Sequence, residues 1–413
     1  MKINHFTRLL ATLTVAAALN GAAQSVVFDS APASGRFYRI PAIVQLQDGS
    51  LLAMGDDRHG SDSDIGGNHG IDIVGRMSRD GGATWGETVM IADGDGSGAG
   101  FDDNHGDAAA VADRETGDIL VMCASGAVGF GASTLQEPLR VGRYVSRDGG
   151  ATWSGGEATS AIYGIFAGHR EVNGLFFSSG RICQSKRIKR GSHYRIYSAI
   201  DGPWGTGCLV LYSDDLGMTW QALGGPAARP TTGPMGDEAK VEELPDGKVL
   251  LSCRSKLAET SGRLFNIFDY ATGTWGRMAV SNDSIEGTWS QGCSCNGELL
   301  VVAALRTNDG RSLHLALQSV PRGPGRQRVT IYYKELLTPE DYDQPEDFAW
   351  GWRPYQVTGN YSAYSTMVEL ESGDIAFMHE DCNDNAGTAY YDLLCEQLTL
   401  QQITNGRYRS AKQ

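Results

Sequence analysis

The chain has little that reads as a membrane span, a nucleic-acid surface or a metal framework. Beyond the N-terminus no apolar run approaches the roughly 20 residues needed to cross a bilayer as a helix, so no membrane insertion is expected. Positive charge is short: 35 Lys and Arg stand against 49 Asp and Glu, a formal net charge of −14. That sign works against attraction to a polyanionic backbone, so no nucleic-acid partner is expected. It also disfavours an anionic substrate, unless a site concentrates arginine locally. The one basic run, Lys186-Arg187-Ile188-Lys189-Arg190, reads as a solvated loop or strand edge. The eight cysteines, Cys123, Cys183, Cys208, Cys253, Cys293, Cys295, Cys382 and Cys395, do not fall at zinc-site spacings. A core of this size needs no disulfides, so most are expected to be buried thiols, and spacing alone fixes no pairing. Asp102, Asp103, His105 and Asp107 cluster without a second group at ligand spacing. They are expected to form a polar inter-strand loop, with no metal or organic cofactor. Helical periodicity is also missing outside the N-terminus.

What is present begins with a leader. Residues 1–23 carry Lys2 and Arg8, an apolar run from Leu9 to Leu19, then Gly21-Ala22-Ala23. This is the pattern of a secretory signal peptide, with cleavage expected before Gln24 and a periplasmic or secreted destination. No cysteine stands at the cleavage point, which argues against a lipid anchor. Loss of the leader's two basic residues takes the formal charge from −14 to −16. Residues 24–413 then form a single expected domain.

Three copies of one phrase punctuate that domain: Ser78-Arg79-Asp80-Gly81-Gly82-Ala83-Thr84-Trp85, Ser146-Arg147-Asp148-Gly149-Gly150-Ala151-Thr152-Trp153, and Ser213-Asp214-Asp215-Leu216-Gly217-Met218-Thr219-Trp220. Their serines are 68 and 67 residues apart, and Ser281-Asn282-Asp283 with Gly287-Thr288-Trp289 falls where a fourth, degenerate copy is due. The phrase reads as a hairpin turn. Asp bonds the backbone ahead of it, Gly supplies a positive φ, and Thr and Trp open a strand. Hairpin grammar recurs at residues 37–54, 244–251 and 370–377. A period of about 67 residues suits a four-stranded antiparallel sheet with long loops, and the 390 residues after the leader hold about six such units. The expected fold is therefore all-β, a six-bladed β-propeller with four antiparallel strands per blade. A β-sandwich with coincidental turns is the alternative.

These phrases are Asp boxes, and Tyr38-Arg39-Ile40-Pro41 resembles the Phe/Tyr-Arg-Ile-Pro motif of the bacterial exo-α-sialidases. The resemblance covers essentially the whole chain after the leader, in the expected order. Asp boxes mark the fold and not the activity; the Arg-Ile-Pro motif is the more specific signal. The resemblance implies three arginines around a substrate carboxylate, a demand that planar, permanently charged guanidiniums meet better than lysine. Arg39 matches the first. Arg254, closing the Glu238…Glu243-Leu244-Pro245-Asp246-Gly247 stretch, matches the second. Arg326 matches the third, with Arg328 as competitor; strand alternation points both to one side and does not separate them.

The same resemblance implies a tyrosine nucleophile, the sialidase departure from the two-carboxylate rule. A carboxylate attacking a carbon beside another carboxylate meets repulsion, whereas a phenol is neutral until a base takes its proton. Tyr364 matches that position, with Tyr361 as near neighbour, and Glu238 matches its activating base. Glu380 matches the acid that holds the first arginine. In the acidic loop after the first hairpin, Asp64 matches the general acid and base, with Asp62 as alternative, and Arg58 a basic residue contacting the sugar. The implied activity is hydrolysis of terminal sialic acids from glycans, glycoproteins or glycolipids with retention, by a monomer. A trans-sialidase, or an intramolecular one, would use the same site. Two other classes remain. A non-catalytic Asp-box propeller that binds glycans has no need of Tyr364, Glu238 and Asp64 together. A two-carboxylate glycosidase acting on a neutral sugar has no need of three arginines.

Overall fold

Strand pairing sorts the chain into six sheets, four or five strands each, in a computed structural model that describes residues 24–67, 70–202, 207–231, 236–255, 262–291, 295–382 and 390–413. The expected leader and Cys293 lie outside the described residues. The first sheet runs Arg36–Gln45, Leu51–His59, Ile71–Ser78 and Thr88–Ala92. The second opens with His105–Ala112, the fourth with Gly236–Glu243, the fifth with Leu299–Arg306 and the sixth with Tyr361–Glu369. In the third, His193–Asp201 is central. Among the described strands the pairing is antiparallel, save that Gly180–Arg181 runs parallel to the second sheet's opening strand; an isolated parallel bridge also joins Ile71 to Asn104. Among the described residues the α-helices are two short ones, Thr159–Gly164 and Leu400–Ile403, and no helix is long and apolar enough to cross a membrane.

Alternating strands bury both faces between neighbours. Ile43, Leu51 and Ala53 of the first sheet pack against Ala376, Met378 and Leu393 of the sixth, while Ala42, Val44 and Leu52 turn the other way onto Ala108, Ala110 and Val121 of the second. Four further clusters join the second sheet to the third, third to fourth, fourth to fifth and fifth to sixth, so the contacts form a closed cycle. The first and last described strands take part in the closure. Gln24–Phe28 pairs with Asp392–Leu398 as the outer strand of the sixth sheet, and Tyr408–Ser410 edges the fifth.

The three Asp boxes share one geometry. In each, the Ser hydroxyl donates to the Asp at 2.8 Å and accepts the second glycine-position N–H at 2.8 Å, and the Asp accepts the Thr N–H. At the fourth position Ser281 keeps part of this by accepting Thr288 N–H at 2.8 Å. The Trp rings pack into the clusters between sheets, and Trp85 also donates to Ser25 at 2.9 Å. They are packing residues, as the sequence suggests.

Candidate functional site

Four opening strands share a local irregularity. Register slips between Arg39 and Ala42, Gly106 and Ala109, Asp237 and Ala239, and Ser362 and Ser365. A bulge adds a residue to one strand and re-aims its side chains. Ile40 and Asp107 take positive φ, 56° and 58°, to make the turn. The four slips bring Arg39, Asp107, Glu238 and Tyr364 to one pocket of about 300 Å³, where Arg254, Arg326 and Asp64 join them. Ile65, Ala124, Phe130, Leu139 and Phe176 give the pocket one apolar wall.

Tyr364 is tied to its neighbours through its hydroxyl. Its hydroxyl donates to Oε1 of Glu238 at 2.7 Å, and Arg254 Nη1 donates to Oε2 of the same carboxylate at 2.7 Å. Arg254 Nη1 also reaches the Tyr364 oxygen at 3.4 Å. The Arg39 and Arg326 guanidiniums lie 5.9 and 5.5 Å from the ring centroid of Tyr364. Burial, with the Glu238 charge behind it, pushes the Tyr364 phenol well above its ordinary value, so it is neutral in the free protein.

Glu380 holds two parts of the site at once. It accepts Arg39 Nε at 2.7 Å, the Ile40 N–H at 3.0 Å and the Tyr364 N–H at 3.1 Å. Burial is the largest single influence and lowers the Arg39 and Arg254 guanidiniums, but Glu380 with Tyr364 and Asp64 around Arg39, and Glu238 with Tyr364 and Asp237 around Arg254, together raise them, and both stay charged. Tyr391 adds an aromatic face 5.1 Å from the Arg39 guanidinium.

Arg326 and Arg328 are separated by the backbone. The strand begins at Val329, and Arg328 sits before it at φ 58°, so regular alternation does not reach back to Arg326. The Ser362 N–H donates to the Arg326 carbonyl at 3.0 Å, which seats Arg326 beside Tyr364. Arg328 does not line the pocket. Nor does Tyr361, which is exposed.

Asp64 extends into the pocket, 86% of its side chain accessible, with Arg58 Nη1 donating to it at 2.7 Å. Burial by the surrounding walls pushes its carboxyl up, and the Arg58 charge and hydrogen bond, with Arg39 and Arg326, bring it below the ordinary value. Asp62 contributes only its main-chain carbonyl, to Arg58 at 2.7 Å. Two expectations change here. Arg58 does not line the pocket: it is buried beneath Asp64, and its guanidinium is taken up by Asp64 and by Asp56 at 2.9 Å. Asp107 is not in a polar loop. It belongs to the strand His105–Ala112 and lines the pocket, where burial and the charges of Asp56 and Asp64 push its carboxyl well above the ordinary value. Asp56, buried beside it, is pushed up to about 6 by burial against the pull of Arg58. The sequence signal for Asp107 was its place in an acidic cluster; what hid it was the bulge. His105, from the same cluster, is turned inward onto Ser125 at 2.9 Å.

The fold and this pocket define an all-β protein in which three arginines gather around a carboxylate-bound tyrosine. The chain belongs to the BNR repeat-like domain family, whose match covers residues 63–376. A sialidase of Micromonospora viridifaciens is 32% identical over 310 residues, which is 71% of this chain and 41% of that protein. This chain thus spans about two fifths of that relative's length. A sialidase of Paraclostridium sordellii is 27% identical over 394 residues, 89% of this chain and 86% of the relative. The intramolecular trans-sialidase of Ruminococcus gnavus, solved with oseltamivir carboxylate, shares the fold at TM-score 0.69 and 16% identity, over 92% of this chain and 98% of its own.

Proposed function

We propose that this protein is an exo-α-sialidase that releases terminal sialic acids with retention. The observation that carries the reading is the Tyr364–Glu238 hydrogen bond of 2.7 Å set among Arg39, Arg254 and Arg326. The three guanidiniums clamp the sugar carboxylate. Glu238 takes the phenolic proton as the Tyr364 oxygen bonds to the anomeric carbon, and the bond to the leaving glycan breaks. Asp64 gives its proton to the departing oxygen. It then removes a proton from the water that attacks the same carbon, and Tyr364 leaves with the proton held by Glu238. Two inversions return the original configuration.

Asp64 must carry a proton for the first step, yet Arg58, Arg39 and Arg326 hold it ionised in the free pocket. Substrate resolves this. Its carboxylate neutralises two of those three cations, and the Asp64 carboxyl rises toward the working range. Arg58 is then the residue that poises Asp64, and Asp107, protonated, offers a hydrogen bond to the sugar.

The cycle of six sheets and their shared apolar clusters support a six-bladed propeller over residues 24–413 as a single domain. The leader pattern supports export to the periplasm or beyond. The test is release of a fluorescent aglycone from a synthetic sialoside, with Arg39→Ala as control. No release by the intact protein removes the reading, and NMR of the product separates free sialic acid from a transferred or 2,7-anhydro sugar.

A further inference from the structure

Cys208 and Cys253 meet across the junction of the third and fourth sheets. Cys208 opens the strand Cys208–Ser213, and Cys253 lies in Val249–Ser255, 45 residues further on. Both are fully buried, and their sulfurs are 2.7 Å apart. Both sulfurs also face one carbonyl, that of Asp237, at 2.6 and 2.8 Å. Non-bonded sulfurs do not rest at that separation, whereas a covalent bond holds them at about 2.0 Å. The rest of their surroundings is occupied. Leu264, Val210 and Leu251 pack around them, and an Asp201 oxygen lies 3.2 Å from the Cys208 sulfur. Cys123 and Cys183 are placed differently: Cys123 lies against the Ser125 hydroxyl and Cys183 against Glu242.

The position matters for the site. Asp237 precedes Glu238, and Cys253 precedes Arg254, so the two sulfurs lie behind the backbone that presents both ends of the Arg254–Glu238 pair. We infer that Cys208 and Cys253 are a modification site, joined by a disulfide as the chain folds in an oxidising compartment. The oxidant is a donor disulfide, on a protein oxidase or a small thiol. One cysteine thiolate attacks the donor, and the first donor thiolate leaves. The second cysteine thiolate then attacks the protein sulfur of that mixed disulfide and expels the second donor thiolate. The cysteines lose two electrons and two protons, and the donor gains both. Because both sulfurs are inaccessible in the folded chain, the exchange precedes the closing of the third sheet on the fourth. The bond then ties the third sheet to the strands carrying Glu238 and Arg254. It is independent of the sugar chemistry.

The full chain, exported into an oxidising compartment of an expression host and purified without reductant, is alkylated under denaturing, non-reducing conditions and mapped by peptide mass. The expected result is a linked Cys208–Cys253 peptide pair, two hydrogens lighter than its separate parts. Alkylation of both residues in the main fraction overturns the inference, as does linkage of either one to a different cysteine. A second reading comes from melting with and without dithiothreitol. The intact protein loses several degrees on reduction, and a Cys208→Ser, Cys253→Ser protein shows no reductant-dependent change. An equal response in both proteins overturns it too.

Discussion

Tyr364 and Glu238 share a 2.7 Å hydrogen bond although 126 residues separate them in the chain. The bond joins the opening strands of the sixth and fourth sheets, and each residue sits within a bulge. Removing the phenolic oxygen leaves Glu238 bound to Arg254, so the pocket keeps its charge. Tyr364→Phe is therefore expected to lose at least about 1,000-fold in kcat on a sialoside while still binding a sialic acid transition-state analogue. Steady-state kinetics with calorimetric titration of the analogue checks both halves; undiminished kcat would remove Tyr364 as nucleophile.

The two candidate third arginines make opposite predictions. Arg326 faces Tyr364 at 5.5 Å, and Arg328 stands outside the pocket. Loss of a charge-assisted contact of about 1.5–3 kcal/mol raises KM in Arg326→Ala by about 10- to 150-fold. Arg328→Ala is expected to stay within about twofold of the parent. A larger effect at Arg328 exchanges the assignment.

Asp64 sets the pH response. A carboxyl held below its ordinary value keeps its proton only in acid, so kcat/KM for a sialoside with an alkyl aglycone is expected to fall as pH rises above the acidic range. An activated aryl aglycone leaves without protonation and is expected to show a flatter profile. Asp64→Asn is expected to lose about 100-fold or more on the alkyl substrate and far less on the aryl one. Equal losses on both would show that Asp64 is not the acid.

Glu380 is a positioning residue whose loss should be felt in both stability and binding. It is buried and accepts from Arg39, Ile40 and Tyr364. Glu380→Gln leaves the Arg39 charge buried without its counter-ion, a cost of about 3–5 kcal/mol. A lower melting temperature with a raised KM is the expected pair of results, and an unchanged KM would show that Arg39 is held by something else.

The Asp boxes give a stability signature with a definite sign. Hydrogen bonds from Thr84 and Thr152 hold the exposed Asp80 and Asp148 at about 2, against 3.8 for the free group. A depressed carboxyl stabilises the fold above the unfolded value and loses that contribution as pH falls from 3.8 toward 2. The melting temperature of Asp80→Asn with Asp148→Asn should lie below the parent at neutral pH, and the gap should close on acidification through that window. A gap that is constant with pH would assign the effect to shape and not to charge.

Much of this architecture was readable because it depends on local phrases. The Asp boxes needed only short-range bonds between Ser, Asp and Thr, and the first-sheet hairpin announced itself through Gln47-Asp48-Gly49-Ser50 between apolar runs. Arg39, Glu238 and Tyr364 were legible through resemblance to a family and not through periodicity. What stayed hidden depended on broken regularity or distant pairing. Alternation failed between Arg326 and Arg328 because Arg328 takes a positive φ. Asp107 looked like part of a loop because nothing in its neighbours marks the slip between Gly106 and Ala109. The family resemblance makes Arg58 a sugar contact, whereas burial between Asp56 and Asp64 commits it inward. The Cys208–Cys253 contact joins two sheets, and spacing in the chain carries no trace of it.

The strand Gln24–Phe28 finds its backbone partners in Asp392–Leu398. The earliest strand of the sixth sheet to leave the ribosome therefore waits, unpaired, until a segment 372 residues further along has been made. The sixth sheet is completed by a latch between these two distant segments.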